Sequence, residues 1–208
     1  MEGKEFLEHL KKECDKKGVK LILGEGSKIP YSTNSALMVS GYFEDFFFKD
    51  RAPELACAIG KPEQEWMKIL IHESCHMDQW VEYPELWLSQ YSEGKNSDRI
   101  MDNWISGKNF SEQQYTHAIR TMQAIEIDCE KRSAQKIIDL GLPINVSEYI
   151  KNANSYVLFY SIILKTRAWY EKPPYETSEV LAAMPDHWLD DYTEVSDELF
   201  ELYKKYCF

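Results

Sequence analysis

Two histidines and a pair of glutamates stand in this chain at spacings that suit a metal ion. The stretch Ile71-His72-Glu73-Ser74-Cys75-His76 sets two imidazoles four residues apart, with a carboxylate directly after the first. On a helix, positions i and i+4 share a face one turn apart, so His72 and His76 can reach one ion. Glu73 falls about 100° further round, beside such an ion and not on it. There it can take a proton from a water that the metal has acidified. The plain alternative is a helix with two partly buried histidines.

A catalytic zinc site takes three protein ligands and keeps a fourth position open. Residues 124–134 read AIEIDCEKRSA, with glutamates at 126 and 130. Glu126 and Glu130 share a helix face, while Asp128 points elsewhere. Ile119, Met122, Ile125, Ile137 and Ile138 predict that part of this helix is buried, where a carboxylate is costly unless it meets a metal or a donor. The alternative is a solvated acidic stripe paired with Lys131 and Arg132. Cys75 and Cys129 adjoin these positions but point off the shared faces, and we read both as small buried hydrophobes. His117 falls opposite Glu126, and His9 and His187 have no partner pattern, so all three read as structural.

Together these motifs resemble the gluzincin group of zinc metallopeptidases, whose members carry H-E-x-x-H on one helix and E-x-x-x-D or E-x-x-x-E on a later one. The resemblance covers about residues 53–138. It implies a zincin-like fold with one Zn2+ per chain, held by His72, His76 and Glu126. It also implies Glu73 as general base and Glu130 behind the ligands, orienting a histidine. Glu130 stands where many relatives have aspartate and must reach one methylene further. The strand PELACAIG is expected to be the β-edge over the substrate cleft. For the oxyanion or substrate contact, Tyr115, Tyr156, Tyr160 and Arg167 are candidate donors. The chain, over most of its length, also resembles proteins predicted from tailed-bacteriophage genomes, with similar HExCHxxQW and DCEKR stretches; that likeness brings no substrate.

The elements that must carry these residues can be sketched from periodicity and punctuation. Residues 4–17 read as a helix stopped by Gly18. Val19–Leu23, Ala36–Phe43 and Pro53–Ile59 read as strands, the last two separated by the aromatic, charged stretch EDFFFKDRA. A helix with Pro62 in its first turn runs to about Trp80, and shorter ones occupy 84–91 and 97–105. Ser111 with Gln114 forms a capping box for a long helix ending before Gly141. Ser147 caps a helix to about Tyr170, and Ser196 caps a last one to about Tyr206. The expected class is α+β: a small, mostly antiparallel N-terminal sheet with the H-E-x-x-H helix, then a helix-rich C-terminal half. The expected organisation is one domain over 1–208, with a helical extension from about 145.

Composition narrows the function. Of 208 residues, 44% are hydrophobic and 13% aromatic, enough for a packed core. The net charge of −11, without a long basic run, argues against nucleic acid and anionic membranes as partners. No signal-peptide core or spanning segment is read, and the five scattered cysteines suit reduced thiols in a cytoplasm, the host's if the chain is phage-encoded. The expected function is a zinc-dependent hydrolase cleaving peptide bonds in a peptide or protein substrate. The alternative is a catalytically inactive zinc-binding module for protein interaction, which would not need Glu73. A di-iron carboxylate bundle calls for two E-x-x-H motifs, and Glu73–His76 is the only one.

Overall fold

Caps and glycines set most element ends. The computed structural model describes residues 1–46, 51–92 and 95–208. The chain folds as two interleaved compact units, Met1–Trp87 with Lys131–Ile144, and Leu88–Glu130 with Asn145–Phe208. The class is α+β, as expected.

In the first unit, helix α1 (Gly3–Lys17) ends at Gly18, whose φ of 68° is the left-handed conformation glycine adopts without penalty. A three-stranded sheet follows in the order β1 (Lys20–Gly24), β5 (Glu54–Ala58), β4 (Gly41–Glu44). β5 runs parallel to β1, with Leu21 opposite Leu55, and antiparallel to β4, with Gly41 opposite Cys57. The strand pairs are mostly antiparallel, as expected, with β1–β5 the parallel pair among those described. Both edges of β5 are paired, so PELACAIG is the buried middle strand and not a free edge. The single strand expected over 36–43 is two: β3 (Asn34–Val39) pairs with β2 (Ile29–Tyr31) in a separate hairpin, and the chain breaks at Ser40 before β4. Phe47 to Asp50, in the middle of EDFFFKDRA, lie outside the described residues.

Helix α2 (Glu63–Glu82) packs on β4 and β5, with Pro62 as its N-cap and not in its first turn. Its Met67, Leu70, Ile71, Cys75 and Met77 are fully buried. Side chains of this size contribute about 1.5–3 kcal/mol each when buried, and that apolar face holds the helix in register. Alternate residues of β5 serve two cores. Cys57 Sγ approaches the Trp66 carbonyl under α2 at 3.7 Å, while Ala56 and Ala58 join Ile29 and Tyr42 in a second, smaller core. Buried Asp78, near the end of α2, pairs with Lys17 of α1 and with Lys136 at 2.5 Å. α3 (Pro84–Leu88) follows.

Most described residues of the second unit are helical, with one short antiparallel pair, Tyr91–Ser92 against Lys95–Asn96. The unit holds α4 (Ser97–Ile105), the N-terminal part of α5 (Glu112–Asp139), α6 (Val146–Thr166), α7 (Ser178–Ala182) and α8 (Asp197–Cys207). The capping box forms as expected: Ser111 Oγ accepts from the Gln114 N–H at 3.3 Å, and Gln114 Oε1 accepts from the Ser111 N–H at 3.0 Å. The cap of α6 is Asn145 and not Ser147, its side chain accepting from the Glu148 N–H at 3.2 Å. Phe159 lies at the centre of the unit's core, its ring within 6.2 Å of those of Trp169, Tyr170, Tyr203 and Phe208. Among the described residues, no helix is long and apolar enough to cross a membrane.

Candidate metal centre

α2 brings His72 and His76 together as the i, i+4 spacing requires. Their Nε2 atoms stand 3.2 Å apart, with the rings perpendicular. His76 Nδ1–H donates to Gln79 Oε1 at 2.8 Å, which leaves the Nε2 lone pair for a metal or another donor. Burial, and next the neighbouring His72, push the His76 imidazole down to about 3, so it stays neutral, the form that ligates. Trp87 packs beside this ring at 5.7 Å, and its indole N–H donates to Asp45 Oδ2 at 2.6 Å.

Glu73 is half-buried on the same helix and turned toward the sheet. A Cβ added at Gly41 of β4 would come within 3.3 Å of Glu73 Cγ, so this strand position needs the bare backbone. Burial, and after it the Glu73 carboxylate, push the Cys57 thiol up to about 12. The general-base candidate therefore lies against the sheet, one residue round the helix from the histidine face.

Within the second unit, Glu126 and Glu130 of α5 are each only 7% exposed, which rules out the solvated acidic stripe. Arg132 pairs with Glu82 at 3.8 Å and lies over the Tyr83 ring. Ile138, expected in the buried face, is 57% exposed. Tyr149 of α6 donates its hydroxyl to Glu130 Oε2 at 2.5 Å. Tyr156 and Tyr160 are buried on α6 with their hydroxyls 3.2 Å apart. Burial, and next the Glu126 carboxylate, push both phenols well above their ordinary range, so they remain hydrogen-bond donors.

The other donor candidates have local roles. Tyr115 stacks on Trp104 at 4.2 Å. Arg167, in the left-handed conformation at φ 55°, closes α6 and donates to the carbonyls of Trp104 at 2.7 Å and Lys108 at 2.9 Å. His9 pairs with Glu13 and His187 with Asp186, while His117 is exposed. All five cysteines are buried, and none is in a disulfide among the described residues.

The side chains of metal-ligating type are His72 and His76 in the first unit and Glu126 and Glu130 in the second, where Cys129, which the sequence suggested was only packing, is a further possible donor. Imidazole nitrogens with a carboxylate oxygen are ordinary zinc ligands, so the donor set fits that ion. Three features escaped the sequence: Gln79 behind His76, Tyr149 on Glu130, and Gly41 beside Glu73. Of these, only Gln79 left a signal, an amide three residues after a candidate ligand on one helix. Comparison with known protein families, curated proteins and solved structures gives no match.

Proposed function

We propose that this chain is a zinc-dependent hydrolase of the gluzincin type that cleaves peptide bonds. His72, His76 and Glu126 hold one Zn2+ per chain, and Glu130 orients the ligands from behind. The observation that carries the reading is the convergence of the two Nε2 atoms on α2, 3.2 Å apart, with His76 neutral and its other nitrogen already engaged. When bound, zinc would polarise the scissile carbonyl and bring a water's pKa from about 15.7 to about 7.

Glu73 takes the proton of the attacking water on its carboxylate and passes it to the leaving amine nitrogen. Tyr156 and Tyr160, held protonated beside the Glu126 charge, are phenol donors that suit the developing oxyanion. The acidic charge of −11 suits a peptide or protein substrate over a nucleic acid or membrane surface. We place the protein in the cytoplasm, the host's if it is phage-encoded.

Glu73→Gln tests the reading. The amide has the same size, so zinc content and melting temperature should stay as in the unaltered chain. Cleavage of a peptide library should drop by about 10²–10⁴-fold, the usual loss for a missing general base. Unchanged cleavage with zinc still bound would overturn the mechanism.

A further inference from the structure

A neutral imidazole has one N–H, and a metal takes the other nitrogen. The group that accepts the N–H therefore decides which nitrogen can ligate. For His76 that group is Gln79 Oε1, 2.8 Å from Nδ1 and three residues along the same helix. Gln79 is fully buried and His76 is 8% exposed, so water does not compete for this bond. Helix geometry sets the i, i+3 spacing, and no loop motion can alter it. Trp87, anchored to Asp45, packs beside the imidazole and restricts the turning of its ring.

From this geometry we infer that Gln79 is a positioning residue of the zinc site: it holds His76 in the Nδ1–H tautomer and aims Nε2 at the ion. The inference rests on the zinc reading for its purpose. A glutamate at 79 would accept the same bond but would bury a charge needing a cation of its own. Lys17 and Lys136, which meet α2 at the preceding residue, are engaged by Asp78. The neutral amide orients the ring without that burden.

The test uses full-length protein labelled with 15N in its histidine rings and stripped of metal by chelator. In the unaltered chain, ring-nitrogen NMR should find His76 protonated at Nδ1. Gln79→Leu should lose that tautomer preference and bind zinc about 10–100-fold more weakly, the usual loss when a group behind a ligand is removed. Gln79→Glu keeps an acceptor and should recover both the tautomer and most of the affinity. Protonation of His76 at Nε2 in the unaltered chain overturns the inference without any variant, so it holds its test even if Gln79→Leu does not fold. Unaltered tautomer and zinc affinity in Gln79→Leu overturn it equally. Zinc binding by the unaltered chain, read in the same titration, tests the metal reading separately.

Discussion

Replacing Gly41 with alanine asks whether the sheet sets the position of Glu73. The new Cβ would stand 2.6 Å from Ile69 Cγ2, 3.0 Å from the Ala56 carbonyl oxygen and 3.3 Å from Glu73 Cγ. Ordinary contact begins near 3.4 Å, so Ile69 must retreat by about 0.8 Å, the difference between 3.4 and 2.6 Å. Ala56 belongs to the doubly paired β5 and cannot yield alone, so the displacement falls on α2. Overpacking of this kind costs about 1–3 kcal/mol. In a chain of this length that lowers the melting temperature by about 2–12 °C. Ile69 and Glu73 are one helical turn apart, so a shift of α2 moves the carboxylate too. A misplacement of about 1 Å can cost about 10²-fold in rate. Calorimetry and peptide cleavage on the same preparation should register both losses, with zinc content unchanged. Ile69→Ala removes the clashing methyl, so the double variant should be less destabilised than the two singles together, by about 0.5–3 kcal/mol. A Gly41→Ala protein that melts and cleaves like the unaltered chain would refute the reasoning.

Two further expectations concern the ligands and pH. Metal analysis should find zinc lost in His76→Ala and severely weakened in Glu126→Gln, while Glu130→Gln loses about 10–100-fold in affinity; greater loss at Glu130 would exchange the two carboxylates' roles. In metal-stripped protein, His76 refuses a proton down to about pH 3, whereas the unfolded chain takes one up below about 6.5. Stability should therefore fall as pH drops from about 6.5 toward 3, by at most about 1.4 kcal/mol per pH unit from this group. Urea melts of His76→Gln should lack that contribution, and identical pH profiles for the two proteins would contradict it.

Local rules were legible and non-local ones were not. The shared face of His72 and His76, the stop at Gly18 and the Ser111–Gln114 box depend on residues at most four apart, so chain order determines them. Burial of Glu126 and Glu130 was legible from the apolar residues around them, although Ile138 turned outward near the end of α5. The parallel pairing of β1 with β5 joins residues 34 apart in register, and the alternation of either strand carries no sign of direction. Ser40 parts two strands that read as one because both flanks are apolar. Ser147 lost the α6 cap to Asn145, a competing side chain two residues earlier that accepts the same kind of bond. Asp78 gave no sign of its two lysines, since Lys17 and Lys136 lie 61 and 58 residues away in sequence.

The interleaving of the two units governs how the protein can be made. Residues 131–144 complete the unit that begins at Met1, and that unit is interrupted by residues 88–130. On a ribosome adding about 5–20 residues per second, the stretch up to Trp87 waits roughly 3–11 s for Ile144 to be synthesised. Throughout that interval the buried Ser74 and Asp78 of α2 lack their partner Lys136. A nascent chain of this design depends on shielding by the exit tunnel or a holdase, and fragments ending between residues 87 and 144 should be recovered as aggregates and not as soluble pieces.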